Sequence, residues 1–400
     1  MATSVYKTIL DSDKASTRTL LHEYIPITGT LVSGAYGGNT VVLGSEPHIQ
    51  AFAHGMFQSV YDYPYLSSSA NHIMDVSVGI SPQSALSGSP AQAQCKGRGG
   101  ASTHADCNVF MQDKKLNMYA QMAQVLQGYD KTNEIARFDE DGDLSGTGGT
   151  KLDNCIFVSL TRLLTKDEIK KGSFSMDLNV TTDPTSQLKT VRINDTGAAT
   201  NFFNASSGEY GILYASPLAG AAVHGDAAQT KVGLIYYQAG VMVLSSSVLQ
   251  PSTSGHPGLV KASAANPEFG EVNLTVAKSG PGIPSTAKFR DLLTGSNFND
   301  AANMFRSRIL KMSFNNTTEL NSMVYFCRAK HNEFNYSGNR TYLEGSKIRV
   351  KNQAQDHPRS YITTVGLYSA NNELMAVAKL SEPIRKDPTN EVTLRVRLDY

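Results

Sequence analysis

Apolar and polar residues alternate strictly in two short stretches of this chain, and this pattern constrains its fold more than any other feature. One stretch covers residues 174–180, and the other covers residues 392–398 near the end of the sequence. Because successive side chains of a β-strand point to opposite faces, the alternation indicates strands with one buried face. Further strands are predicted at Cys155–Leu160, Thr190–Ile193, Val232–Gln238, Val241–Leu244 and Val272–Val276. The sequence therefore predicts a chain built mainly from β-structure.

Helices are predicted at fewer places. Apolar residues recur with a period of 3.6 between Lys114 and Gln127, which indicates an amphipathic helix. Asp113 suits the N-cap of this helix and Gly128 suits the position after its C-cap. Thr165 and Glu168 have the spacing of a capping box and predict a second, short helix that ends at Gly172.

Two β-hairpins are predicted towards the end of the chain. The first would join Arg308–Phe314 to Met323–Arg328 through an Asn/Thr-rich loop. The second would join Tyr361–Tyr368 to Leu374–Leu380 through residues 370–372. We expect the closing strand to be pinned into a sheet of this subunit or of a neighbouring one.

A length of 400 residues exceeds one ordinary core and suggests two or three domains. We predict an α+β, mostly β protein. A mixed N-terminal region with an arm, a long loop and one helix covers residues 1–150, and a β-rich middle domain covers residues 151–285. A β-sandwich-like C-terminal domain covers residues 286–400.

Charge and composition limit the classes of partner. The 36 basic and 35 acidic residues nearly cancel, so no strong net field recruits nucleic acid or a membrane, and we predict neither partner. The chain has no tryptophan, which mildly disfavours a glycan-processing enzyme. The opening residues lack the pattern of a secretory signal and no apolar run is long enough to span a bilayer, so we expect a cytoplasmic origin and free cysteine thiols.

Two groups of residues could hold a metal ion, but a simpler interpretation is preferred for each. Cys95, His104 and Cys107 lie close together in sequence, yet their spacing matches no zinc module and a fourth ligand is not evident. Residues 139–150 begin with alternating aspartates like a calcium-binding loop, but Leu144 replaces the required glycine and the last position is not glutamate. We therefore predict no metal site, no cofactor site and no catalytic residue.

Two further groups of residues could be functional, but each also has an interpretation without catalysis or ligand binding. A catalytic set could be drawn from His54, Tyr61, Asp62, Tyr63, Tyr65 and His72. Aromatic residues around a proline more often form core or contact surface, and tyrosine is enriched in interface hot spots. A phosphate-binding face could be drawn from Lys347, Arg349, Lys351, Arg359, Lys379, Arg385, Lys386, Arg395 and Arg397, but acidic residues are interleaved with them.

Assembly contacts are the interpretation that these residues favour. The candidate contacts are the aromatic residues Phe52, Phe57, Tyr61, Tyr63 and Tyr65, together with Leu398 and Tyr400 on the closing strand. They predict a protein that acts by binding other subunits, and not an enzyme.

Several long stretches resemble virion structural proteins of T4-like marine and cyanobacterial myophages. They are HGMFQSVYDYPYLSSSANHI at 54–73, NCIFVSLTRLLTKDEIKKGSFSMDL at 154–178, GEYGILY at 208–214, VGLIYYQAGVMVLSSSV at 232–248, MVYFCRAKHNEFNYSGNRTY at 323–342, SYITTVGLYSANNELMAVAKLSEPIRK at 360–386 and the closing VTLRVRLDY. The resemblance implies a virion component assembled in the host cytoplasm, present in repeated copies or as a homo-oligomer, with other phage structural proteins as partners. It favours the tail or baseplate and leaves the neck or collar and the capsid open.

Two rival functions remain at this point. A host-receptor or glycan-binding module associated with a fibre would present an exposed aromatic groove. A tail-associated hydrolase would present a pocket with paired carboxylates or a metal. The sequence contains the signature of neither.

Overall fold

The computed structural model describes residues 6–27, 49–52, 55–61, 72–84, 109–142, 150–179, 190–219, 230–249, 251–252, 260–261, 293, 301–302, 305–306 and 309–400. The chain divides into two compact units. Unit 1 consists of residues 1–21 and 319–400, and unit 2 consists of residues 22–318. Residues 1–21 thus belong with the end of the chain, whereas the sequence had suggested three consecutive regions.

The prediction of an α+β, mostly β protein is confirmed. The described strands are β1 (Lys14–Ile27), β2 (Ile49–Ala51), β3 (Gln58–Tyr61), β4 (His72–Ile80), β5 (Asn154–Leu160), β6 (Glu168–Ile169), β7 (Ser175–Asn179), β8 (Thr190–Asn194), β9 (Phe203–Ala205), β10 (Gly208–Ala219), β11 (Thr230–Tyr236), β12 (Val241–Ser245), β13 (Pro251–Ser252), β14 (Val260–Lys261), β15 (Ile309–Ala329), β16 (Leu343–Glu344), β17 (Lys347–Ile348), β18 (Ser360–Tyr368), β19 (Leu374–Lys386) and β20 (Val392–Asp399). The described α-helices of more than two residues are α1 (Val109–Leu126) and α2 (Arg162–Thr165).

Unit 2 is organised around one large antiparallel sheet. Its strand order is β15-β7-β8-β10-β11-β12-β5-β4-β3-β2. Both faces of the sheet are covered, as β5 illustrates: Ile156 and Val158 belong to one apolar cluster, and Cys155 and Phe157 belong to another. The second cluster includes the buried side of α1. Burial on both faces explains why β5 is a continuous apolar run instead of an alternating one.

A buried carboxylate holds one turn of unit 2 in place. Asp195 accepts hydrogen bonds from the backbone N–H groups of Gly172 and Phe174 at 2.7 and 2.9 Å and from the Tyr237 hydroxyl at 3.2 Å. Burial raises the pKa of this carboxyl, although the three donors oppose the rise. Because the Asp195 oxygens accept hydrogen bonds from two backbone N–H groups and a buried hydroxyl, the carboxylate has a structural role in this turn.

Several local predictions are confirmed. β7 and β20 lie at the two alternating stretches, and β18 and β19 form the predicted hairpin. The predicted helix is present as α1, although it begins at Val109, before the predicted cap. Gly128 follows it with a positive φ of 88° and donates its N–H to the Ala123 carbonyl at 3.1 Å, as a residue after a C-cap does.

Two predictions are wrong. No helix runs from Thr165 to Gly172: α2 ends at Thr165, and Ile169 pairs with Asn316 of β15. The predicted hairpin over residues 308–328 is instead the single strand β15. Its Asn/Thr-rich centre pairs with β6. The neighbouring strand therefore supplies hydrogen-bond partners for backbone groups that would otherwise be satisfied within a turn.

The remaining local predictions lie outside the described residues or are untested. The strand at 272–276 lies outside the described part. The sandwich-like arrangement of the C-terminal region stays a prediction.

Candidate assembly surface

Unit 1 buries very little apolar surface. In its described part, residues 6–21 and 319–400, four hydrophobic side chains are buried: Val324, Ala329, Leu367 and Val396. The described part of unit 2 buries 46. Conversely, unit 1 carries 16 of the 21 large hydrophobic side chains that are exposed in the described chain. Where such exposed side chains form a contiguous patch on a folded protein, the patch marks a site of protein or ligand contact.

The β18–β19 hairpin is the longest exposed element of unit 1. Its strands pair from Ser360 opposite Lys386 to Tyr368 opposite Leu374, with two irregularities in the register. The connecting turn is closed by the Ser369 N–H, which donates to the Glu373 carbonyl at 2.8 Å. Asn372 has a positive φ of 63°, a conformation that asparagine tolerates better than most residues. The turn residues therefore specify this hairpin locally.

The tip of this hairpin carries an apolar group, which we call the hairpin-tip cluster: Tyr368, Leu374, Met375 and Val377. All four side chains are exposed, and Met375 is 70% exposed. Gly366 lies beside two of them, since a Cβ atom there would lie 3.0 Å from the Tyr368 ring and 3.3 Å from the Leu374 side chain. The absence of a side chain at Gly366 makes room for the Tyr368 ring and the Leu374 side chain.

The N-terminal arm contributes to the same surface. The ring of Tyr6 contacts the ring of Tyr368 edge-on, with centroids 5.0 Å apart. Lys7, the next residue, donates to the Arg328 carbonyl at 2.6 Å and pairs with Glu333 at 2.5 Å. The arm is thereby attached to the C-terminal part of unit 1.

A buried lysine anchors the base of the β18–β19 hairpin. The Lys386 ammonium donates to the carbonyls of His331 and Asp387 at 3.2 and 2.9 Å and to the Asn335 side chain at 2.8 Å. Burial lowers the pKa of Lys386, and the nearby carboxylates of Asp387 and Glu391 oppose that change. Three acceptors satisfy the three donors of the ammonium group, so the base of the hairpin is held while its tip is exposed.

A second hairpin in unit 1 is both basic and exposed. In this basic hairpin, residues 342–351, Leu343 pairs with Ile348 and Glu344 pairs with Lys347. Gly345 has a positive φ of 66° in the turn, and the Arg349 N–H donates to the Tyr342 carbonyl at 2.6 Å. All residues from 343 to 355 are exposed. An isolated two-stranded hairpin of this kind is marginally stable in water without a covering surface.

The candidate contacts named from the sequence differ in their exposure. Phe52, Phe57 and Tyr61 are half-buried, and the first two rings contact each other with centroids 5.0 Å apart. Tyr63 and Tyr65 lie outside the described residues. Leu398 is half-buried opposite Met323 of β15, and Tyr400 is 74% exposed.

Sequence reasoning missed the hairpin-tip cluster and named the basic hairpin only as part of a possible phosphate-binding face. The β18–β19 hairpin was predicted, but the pattern of its residues does not show which of its faces is covered by another part of the protein.

The polar residues around β3 and β4 do not form a nucleophilic triad. Ser59 donates to Oδ1 of Asp75 at 2.5 Å, and Nε2 of His72 lies 2.9 Å from the same oxygen. Here the carboxylate lies between serine and histidine, whereas a triad requires the histidine to lie between the other two. The remaining members of the proposed catalytic set, His54, Asp62, Tyr63 and Tyr65, lie outside the described residues. The arrangement cross-links two strands.

The His72–Asp75 contact predicts a dependence on pH. The hydrogen bond to Asp75 raises the pKa of His72 above its ordinary value of 6.5. The stability from this contact is therefore fully present below that value and is lost as the pH rises through the higher folded-state pKa. NMR titration of the imidazole is expected to give a midpoint above 6.5, which falls in an Asp75→Asn variant. An unchanged midpoint in that variant would contradict the assignment.

No group of three potential ligands among the described residues is placed to hold a metal ion. Asp139 of the aspartate-rich loop is buried and paired with the Lys151 ammonium, which neutralises its charge. Cys95, His104 and Cys107 lie outside the described residues. No helix among those residues is long and apolar enough to cross a membrane.

Comparison with protein-family models, with curated proteins and with solved structures finds no match for this chain.

Proposed function

We propose that this chain is a non-enzymatic structural subunit of a tailed bacteriophage particle, of the tail or baseplate, that acts by binding neighbouring subunits. The observation that carries the proposal is the contrast within one chain: unit 2 has an extensive core, and unit 1 exposes most of its large hydrophobic side chains. A surface of that kind is stabilised when another protein covers it.

The difference between a unit with a large core and a unit with exposed hairpins supports the proposal. Unit 2 contains the two apolar clusters and can supply stability. In unit 1 the β18–β19 hairpin is fixed at its base, through Lys386 and through the Ser360 hydroxyl, which donates to the Phe334 carbonyl at 2.5 Å. Because the base of this hairpin is fixed, its exposed tip presents the same surface to each neighbour, which reduces the conformational entropy lost on docking.

The resemblance of the stretches at 323–342 and 360–386 to virion proteins of T4-like myophages supports the choice of particle. Both stretches lie in unit 1. The hairpin-tip cluster lies within the second stretch, and β15 and the beginning of the basic hairpin overlap the first.

The test is the location of the protein after infection. We expect quantitative mass spectrometry to find it in purified particles at a fixed ratio to the major tail proteins. Cryo-electron microscopy of intact particles should show the β18–β19 hairpin covered by a neighbouring chain. A protein present in the lysate and absent from purified particles would overturn the proposal.

A further inference from the structure

The basic hairpin has two faces of different chemistry. Leu343 and Ile348 are directly opposite in the register and share a face with Val350, two residues further along. Arg349 and Lys351 lie at the alternate positions and carry the positive charge. Leu343, Ile348 and Val350 are all exposed. A partner for this hairpin must therefore offer an apolar area together with carboxylates.

Unit 2 presents such an area at the end of α1. Its described part exposes only five large hydrophobic side chains, and two of them, Val125 and Tyr129, lie four residues apart at this point. Gln124 donates to the Tyr129 hydroxyl at 2.7 Å and orients the ring. Asp130 follows directly, and Glu134 lies four residues beyond Asp130. We call Val125, Tyr129, Asp130 and Glu134 the Tyr129 surface.

The Asp130 carboxylate of the Tyr129 surface is fixed and ionised. Asp130 accepts hydrogen bonds from the backbone N–H groups of Thr132 and Glu134 at 2.8 and 3.0 Å, and from the Thr132 hydroxyl at 2.7 Å. The hydroxyl bond of Thr132 lowers the pKa of Asp130 most strongly, so this group stays negatively charged at neutral pH. Glu134 is exposed beside it.

The distribution of charge between the two units agrees with a contact between the basic hairpin and the acidic Tyr129 surface. Unit 1 contains 15 basic and 11 acidic residues, and unit 2 contains 21 basic and 24 acidic residues. The near-neutral chain is thus divided into a positive unit and a negative unit. Opposite charges on two different surfaces favour association of one copy with another over association of like surfaces.

We propose that the basic hairpin of one copy docks on the Tyr129 surface of a second copy of this chain. Leu343, Ile348 and Val350 cover Val125 and Tyr129, and Arg349 and Lys351 approach Asp130 and Glu134. Because the two surfaces differ, the contact is heterologous and repeats from copy to copy into a ring or a filament. The inference rests on the proposed assembly function and names the occupant of one of its surfaces.

A second copy accounts for more of the hairpin than a nucleic acid does. Phosphates would pair with Arg349 and Lys351 but would leave the aliphatic face uncovered. The Tyr129 surface offers apolar side chains to the aliphatic face of the hairpin and carboxylates to its basic face.

Sedimentation of the full-length chain tests the proposal through matched charge reversals. We expect self-association at about 50 mM salt that weakens at about 500 mM, because exposed ion pairs are screened. Arg349→Glu with Lys351→Glu should raise the dissociation constant about tenfold or more, equivalent to about 1.4 kcal/mol. Lys330→Glu with Arg395→Glu, which removes the same charge elsewhere on unit 1, should leave the constant within about twofold, because exposed charges away from the contact contribute little.

Reversal on the receiving side makes the test independent of the folding of the hairpin. Glu134→Lys alone should weaken association, and Glu134→Lys combined with Arg349→Glu should restore part of it. A wild-type chain that stays monomeric, or association that none of these changes affects, would overturn the proposal. So would a monomeric chain that binds a short DNA duplex through Arg349 and Lys351.

The two proposals fail in different experiments. A chain that does not self-associate but is found in purified particles would overturn only the docking of copies. Absence from particles would overturn the proposed function, whatever the sedimentation shows.

Discussion

Replacement of Leu374 and Met375 by serine and of Val377 by threonine is expected to leave the chain folded and to abolish its incorporation into particles. These three side chains are exposed, so their loss removes no contact from a buried core. In a particle each would be covered, and burial of such a side chain contributes about 1.5–3 kcal/mol. Because 52–70% of each side chain is exposed, loss of the three contributions amounts to about 3–5 kcal/mol, which corresponds to binding weaker by about 100-fold or more.

Incorporation can be measured by supplying the variant during infection and quantifying it in purified particles. Leu163→Ser is the matched control, because Leu163 is similarly exposed but lies on α2 of unit 2. We expect the control to be incorporated normally. Normal incorporation of the triple variant, with an unchanged thermal midpoint, would show that the hairpin-tip cluster is not an assembly contact.

Gly233→Ala is expected to destabilise unit 2 by about 3 kcal/mol or more, because overpacking forces the backbone to move. Gly233 lies in the middle of β11, opposite Leu244 of β12. A Cβ atom there would overlap the Val243 carbonyl oxygen and would lie 3.0 Å from the Leu244 Cα. Since these atoms belong to the backbone of the neighbouring strand, the two central strands would have to separate.

The change is measured as the free energy of unfolding in denaturant, with Gly338→Ala as the control. A Cβ atom at Gly338 meets nothing within 4 Å. Its replacement is therefore expected to change the stability by less than about 0.5 kcal/mol. Equal stability of both variants would mean that β11 and β12 do not approach each other as closely as described.

The candidate surface illustrates which kinds of prediction local sequence supports. The β18–β19 hairpin was predictable, because its strand residues and the Asn372 turn act within a few residues of one another. The hairpin-tip cluster was not, since exposure of a strand face depends on what packs against it. The aromatic segment was identified as a contact from its composition alone, yet Phe52 and Phe57 are half-buried and contact each other.

Long-range pairing accounts for the errors in the fold. A polar stretch in the middle of β15 has the composition of a loop, but β6 pairs with it and keeps it extended. The same pairing draws Glu168 and Ile169 out of the helix that the capping-box spacing predicts. Both outcomes depend on residues about 150 positions apart, and no local pattern contains that information.

The sequence by itself determined the β-rich class of this protein, the period of its strands, the principal helix and the turns that require particular residues. These features arise from contacts between residues that are near in the chain. Only the tertiary structure decided that the two ends of the chain form one unit, that this unit buries four hydrophobic side chains in its described part, and that its hairpins expose apolar faces. Burial is a property of the whole packed molecule, because a side chain is covered or exposed according to neighbours that local sequence does not specify.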